Sequence, residues 1–117
     1  MNANIVEGYL AAWNAPAAER EARIAETFAP EVTYVDPIVD VAGHEALGAV
    51  IGAVQGQFAG LVFSQVGTAD AHHNLVRFQW GLGPAGGEPV VIGSDVAVLD
   101  EAGRIVSVHG FLDKVPA

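Results

Sequence analysis

The chain has 117 residues, 51% of them hydrophobic, and carries 14 acidic side chains against 5 basic ones for a formal charge of −9. That length makes a single domain, residues 1–117, with one sizeable core, and the charge repels phosphate backbones and anionic membrane surfaces, which argues against nucleic acid and membrane partners. Cysteine is absent, which excludes thiol catalysis, disulfides and cysteine zinc sites; Met1-Asn2-Ala3-Asn4 begins no leader and no apolar run has membrane length, so a cytoplasmic protein is expected.

Ile5, Tyr9 and Trp13 recur every fourth position with Val6 and Leu10 beside them, which makes the apolar stripe of a first helix from Asn4 to Asn14. A second helix is expected near Pro16, because proline suits a first helical turn. Glu19 and Arg23 fall on its wet face, Ile24, Ala25 and Phe28 on its dry one, and Ala29-Pro30 ends it. The segment Val32-Thr33-Tyr34-Val35-Asp36-Pro37 then reads as a strand that stops at Asp36, since the proline has no N–H to give a sheet. Strand side chains alternate, so Val32, Tyr34 and Asp36 share a face. If that face is buried, Asp36 is drawn to the mouth of an apolar pocket, where a carboxylate is a useful base. The other reading is that Asp36-Pro37 opens a turn.

Ile38 to Val41 reads as a second short strand and Gly43 as a break. Leu47, Val50, Ile51, Val54 and Phe58 have the spacing of a third helix, in which Gly48, Gly52 and Gly56 weaken the helix and permit close packing against a sheet. Beyond Gly60 the pattern alternates, and four longer strands are expected near Leu61–Thr68, Asn74–Leu82, Pro89–Leu99 and Arg104–Leu112, with turns at Ala69–His72, Gly83–Gly87 and Asp100–Gly103. Helices first and a strand meander afterwards indicate an α+β domain. Val91, Gly93, Asp95, Ala97 and Leu99 share one face of their strand, and Val90, Ile92, Ser94, Val96 and Val98 the other. In the last strand Val106, Val108, Gly110 and Leu112 form an apolar face, and Ile105, Ser107, His109 and Phe111 a mixed one. Two dry faces imply that helices cover one and a second subunit the other, a homodimer through the sheet.

Asp95 stands in the middle of a strand of Val, Ile, Gly, Ser and Ala, where an ionised group is costly unless paired. Desolvation raises a carboxyl pKa, so a buried Asp95 is a hydrogen-bond donor near neutrality, and Tyr9 is another. Two neutral donors meeting in an apolar cavity suit an oxygen that gains negative charge, as enolate formation requires. Asp36 would then be the base that takes a proton from carbon. The competing reading makes Asp95 a structural carboxylate tied to a backbone amide or to Arg77.

Three segments carry a resemblance: Tyr9-Leu10-Ala11-Ala12-Trp13-Asn14-Ala15, Val32-Thr33-Tyr34-Val35-Asp36-Pro37, and Asp95 followed by Ala102-Gly103-Arg104-Ile105-Val106-Ser107. Together the chain resembles the ketosteroid isomerases of the NTF2-like, or SnoaL-like, superfamily. The resemblance implies a cone of three N-terminal helices packed on a curved, mostly antiparallel sheet around an apolar pocket. It also implies that Tyr9 and Asp95 form an oxyanion hole and that Asp36 shuttles the proton, with the surroundings of the two carboxyl groups setting their pKa values apart. The expected pocket is completed by Trp13, Phe28, Tyr34, Phe58, Phe78, Trp80, Val108 and Leu112. Where those isomerases carry a supporting tyrosine on the third helix this chain has Val50, Ile51, Ala53 and Val54, and Trp13 stands at a usually smaller aliphatic position.

The histidines His44, His72, His73 and His109 show no metal-ligand spacing. Gly83-Pro84-Ala85-Gly86-Gly87 joins two strands and is no phosphate cradle. The expectation is cofactor-free chemistry on an apolar carbonyl ligand: steroid-isomerase-like proton transfer, its aldol relative in polyketide cyclases, or a module of this fold that binds a ligand or dimerises without catalysis.

Overall fold

Three helices lie on one face of a six-stranded sheet in a computed structural model that describes residues 2–116, with side chains from Asn4 onward. The elements run α1 (Asn2–Asn14), α2 (Ala17–Thr27), β1 (Phe28–Val35), β2 (Asp40–Ala42), α3 (His44–Gln57), β3 (Val62–His72), β4 (Leu75–Gly83), β5 (Val91–Leu99) and β6 (Ile105–Lys114). The strand order is β2-β1-β6-β5-β4-β3. Only β1 and β6 are parallel; the other neighbours are antiparallel. The last strand thus returns beside the first, so a single strand separates the end of β1 from the middle of β5. This topology brings two carboxylates that are far apart in sequence to one neighbourhood.

The inward alternation of β1 and β5 is as the sequence predicts, with Val32, Tyr34, Val91, Asp95 and Ala97 buried. The core is closed by Val6, Ile24, Phe28, Leu47, Ile51, Ile105 and Val108, each full burial of such a side chain stabilising the fold by about 1.5–3 kcal/mol. Two polar clasps fix the end of α1. Asn14 exchanges hydrogen bonds with the backbone of Phe63, at 2.9 and 2.8 Å. Gln55 of α3 donates to the carbonyls of Trp13 and Ala15, both at 2.8 Å.

Several boundaries differ from expectation, each for a local reason. β1 starts at Phe28, not Val32, and so takes in Ala29-Pro30, expected to end the second helix. The β1–β6 register shifts between Phe28 and Thr33, and Pro30 sits in that irregularity, where a missing N–H is tolerated. Ala25 is exposed. Gly48 and Gly52 face α2 and not the sheet: a methyl at Gly52 would stand 2.8 Å from Arg20 Nη1, and one at Gly48 3.6 Å from Ile24 Cδ1. β3 continues through Ala69–His72, the expected turn, because a register shift between Val66 and Asp70 absorbs extra residues at Gly67, whose φ is +66°. The chain reverses instead at His73-Asn74, with His73 left-handed at φ 53°. In β6, Ile105 pairs with Leu99 but Ser107 with Val98, so Val106 is bulged out. Ile105 consequently joins Val108 in the core, not Ser107 on the outer face. Among the described residues no helix is long and apolar enough to cross a membrane.

Candidate functional site

Between α1, the C-terminal end of α3 and the inner face of the sheet lies a cavity of about 270 Å³. Its inner wall is aromatic: Tyr9 and Trp13 from α1, Tyr34 from β1, Phe63 from β3 and Trp80 from β4. Trp13 lies 5.6 Å from Tyr34 and 5.4 Å from Phe63 between ring centroids, and Phe63 is 5.4 Å from Trp80, spacings at which aromatic rings support one another. Val54, Gln57, Phe58, Leu82, Val91 and Leu112 complete the sides, and Asp36, Ile38, Val115 and Pro116 also line it.

Asp36 follows β1 directly, and alternation along that strand turns it toward the same side as Tyr34. One carboxylate oxygen, Oδ2, accepts from the Tyr34 hydroxyl at 2.7 Å. The other, Oδ1, accepts from the amides of Ile38 at 2.8 Å and Val39 at 3.0 Å. Asp36 therefore caps the turn and lines the cavity at once.

Asp95 is 2% exposed. Its Oδ2 accepts from the Tyr9 hydroxyl at 2.5 Å and from the Trp80 indole N–H at 3.0 Å. The Asp95 carboxyl is pushed up from 3.8 to about 6, the net of burial, which raises it most, the hydrogen bonds from Tyr9 and Trp80, which lower it, and the charges of Asp36 and Asp113, which raise it. The carboxyl is thus protonated below about pH 6 and mostly an acceptor at neutral pH, where the sequence expects a donor. Burial first, and then the charge of Asp95, also push the Tyr9 phenol well above its ordinary value. Tyr34 is raised as well, by burial, by Asp95, and by its bond to Asp36. Both phenols are thus held neutral as donors. Arg77, the alternative partner for Asp95, pairs instead with Asp70 at 3.2 Å on the exposed side of the sheet.

Glycines make this packing possible at two positions. Gly93 is the cross-strand neighbour of Trp80, and a methyl there would collide with the indole. On β6, Gly110 separates the two acids: a methyl would stand 2.5 Å from Asp95 Oδ1 and 3.4 Å from Asp36 Cβ. Asp95 itself is not on the cavity wall; Tyr9 and Trp80 stand between it and the open space. Its influence on anything bound in the cavity passes through them.

Of the expected pocket residues, Trp13, Tyr34, Phe58, Trp80 and Leu112 line the cavity. Phe28, Phe78 and Val108 do not; they are solid core. Phe28 and Phe78 instead brace the Tyr9 ring, at 5.8 and 4.9 Å between centroids, because alternation identifies a buried face without separating its middle from its open end. Ile38, Val54, Gln57, Phe63, Leu82, Val91, Val115 and Pro116 line the cavity as well, beyond the residues the sequence points to. A signal existed for three of them: Phe63, Leu82 and Val91 are successive cross-strand partners, and Leu82 shares its face with Trp80. The Trp80 bond to Asp95 was legible in the same way, since Asp95 pairs with Phe78 and Trp80 is its diagonal neighbour. His44 is taken up by the carbonyl of Phe28 at 2.8 Å, and among the described residues no group of three or more His, Cys, Asp or Glu is arranged to hold a metal ion.

The arrangement is an apolar chamber with a carboxylate on its wall and a neutral phenol backed by a second carboxyl group. Such a chamber can accept a proton at Asp36 and donate a hydrogen bond from the Tyr9 side. Comparison with known proteins bears on the fold and family. The SnoaL-like domain family matches residues 6–108. A solved structure from Agrobacterium tumefaciens, described as a candidate isomerase of the SnoaL-like family, is 38% identical, with a TM-score of 0.89 over 96% of this chain and 97% of that one. Two structures described as candidate polyketide cyclases share the fold. The one from Sinorhizobium meliloti is 20% identical, with a TM-score of 0.70 over 92% of this chain and 93% of that one. The one from Jannaschia is 19% identical, with a TM-score of 0.76 over 96% and 85%. Among curated proteins none matches. With its helices on one face of an open, mostly antiparallel sheet and a match that spans nearly its whole length, the chain belongs to the SnoaL-like family.

Proposed function

We propose that the protein is a cofactor-independent enzyme that moves a proton on an apolar carbonyl compound through an enolate, in the manner of a ketosteroid isomerase. Asp36 takes a proton from the carbon beside the carbonyl. The C–H electron pair becomes the enolate double bond, and the carbonyl π pair moves onto oxygen. That oxygen receives the Tyr9 hydrogen bond, which becomes available when Asp95 is protonated and donates to the phenol oxygen in turn. Asp36 then returns the proton to a carbon further along the conjugated system, so no net charge or electron is gained. Tyr34 holds the Asp36 carboxylate in place between the two transfers.

The observation that carries this reading is the presence of Asp36 on the wall of the same chamber as Tyr9, whose hydroxyl is backed by a buried carboxyl group of raised pKa. The description of the Agrobacterium relative as a candidate isomerase supports it. Aldol closure of a polyketide would use the same base and the same oxygen site. The non-catalytic alternative is favoured by one observation, the capture of Asp36 Oδ1 by two backbone amides. The test is the Asp36→Asn variant with small β,γ-unsaturated ketones, followed by the absorbance of the conjugated product. A loss of roughly 10²- to 10⁴-fold supports a proton-transfer role. Equal rates in parent and variant refute it.

The chain is also proposed to dimerise through the outer face of the sheet, where Ile92, Val96 and Val98 are half-buried and Phe111 is 64% exposed. Apolar side chains in such a row are what a second copy would cover.

A further inference from the structure

We infer that the site takes a compact carbonyl compound of one or two rings, and not a four-ring skeleton. The inference rests on the enolate reading above and adds the size of the ligand. A cavity of about 150 Å³ lined by apolar side chains accommodates one benzene ring. The chamber here is about 270 Å³, which by that measure has room for about two fused six-membered rings.

The inner wall has little freedom to recede. Trp80 is held by its N–H bond to Asp95 and lies directly over Gly93, in the space a side chain there would take, so it cannot sink further toward the strand. Trp13 is wedged between Tyr34 and Phe63, and its backbone carbonyl is fastened by Gln55. A larger ligand with its oxygen at Tyr9 would therefore extend outward past Ile38 and Val115, which are 79% and 58% exposed. Rings lying there would keep much of their surface in water and gain little from burial. Affinity should rise with ring number until the chamber is full and then stop rising.

Trp13 sets the limit. Its indole nitrogen is buried and has no hydrogen-bond partner among the described residues within normal bonding geometry, though the indole lies near enough to Tyr9 to pull that phenol's pKa down a little, so replacing it chiefly removes volume, and any change at Tyr9 bears equally on every phenol compared. The position is a size selector, and a smaller side chain there opens room for further rings.

Phenols mimic the enolate oxygen, and a series of them tests the idea by titration calorimetry: phenol, 2-naphthol and the steroid phenol estradiol. The parent should bind 2-naphthol at least tenfold more tightly than phenol and estradiol no better than 2-naphthol. Trp13→Leu should improve estradiol relative to 2-naphthol by tenfold or more, with Trp13→Phe intermediate. If Trp13→Leu does not fold, as circular dichroism will show, the parent series and Trp13→Phe decide. Tighter binding of estradiol than of 2-naphthol by the parent overturns the size limit and leaves the proton-transfer reading intact. Unchanged ligand preference in folded Trp13 variants overturns the selector. No binding of any phenol, or binding undiminished in Tyr9→Phe, overturns the oxygen site and the inference with it.

Discussion

The hydroxyl of Tyr9 and a carboxylate oxygen of Asp95 lie 2.5 Å apart although 86 positions separate the residues in the chain. Neither side chain has a comparable partner of its own on the same element, so the pair is made by tertiary structure. Removing the phenol oxygen in Tyr9→Phe leaves Asp95 with Trp80 as its remaining side-chain donor. The expected outcome is a loss of about 1–3 kcal/mol in unfolding free energy at neutral pH, measured by urea denaturation. Since the Tyr9 bond lowers the Asp95 pKa, its removal should also raise that pKa above its present value.

Stability should depend on pH through Asp95 in a definite direction. Its carboxyl titrates at about 6 in the folded chain against 3.8 in the reference state, so between those values the folded form binds more protons than the unfolded one. The stabilising contribution is complete below about pH 3.8 and is lost as pH rises through about 6. In Asp95→Asn this dependence disappears. The difference in melting temperature, variant minus parent, should therefore become more positive between pH 4 and pH 7. A difference independent of pH would contradict the raised pKa.

Two glycines give opposite expectations for the same substitution. Gly110→Ala drives a methyl against Asp95 Oδ1 at 2.5 Å, with Asp36 Cβ at 3.4 Å on the same side, and is expected to cost about 1–3 kcal/mol and to weaken ligand binding. Gly56→Ala, on an exposed turn of α3 with nothing within 4 Å of the new methyl, is expected to stabilise by about 0.5–1 kcal/mol. Thermal melts of the two variants beside the parent check both signs.

Dimerisation through the sheet predicts that Phe111→Glu, which sets a charge where an exposed ring stands, halves the mass measured by light scattering after size exclusion. The same mass in parent and variant would count against that interface.

The strand–helix pattern was legible because apolar residues recur at the right intervals: Ile5, Tyr9 and Trp13 for a helix, and Val91, Gly93, Asp95 and Ala97 for a strand with one dry face. Convergence of Tyr9, Asp36 and Asp95 on one region rested on resemblance, since alternation alone cannot say which strands become neighbours. What escaped was local. Gly67 and Val106 mark irregularities in pairing, and an irregularity depends on the partner strand as much as on the residue itself. Pro30 misled in the same way: it reads as the end of the second helix, but proline is also at home in an irregular strand, and here it lies inside β1. Phe28, Phe78 and Val108 were indistinguishable from true lining residues, for a side chain at the centre of a buried face and one beside the opening have identical periodicity.

The fastening of Trp80 to Asp95 has an optical consequence. The chain contains two tryptophans, and one of them donates its N–H to a carboxyl group that changes charge near pH 6. With Trp13 replaced by phenylalanine, the emission maximum of the remaining indole becomes a gauge of that ionisation: it should shift along a single titration curve centred near pH 6, move when a phenol enters the chamber, and stay flat once Asp95 is asparagine. The protein thus carries its own dye, attached to the one group whose proton most needs to be followed.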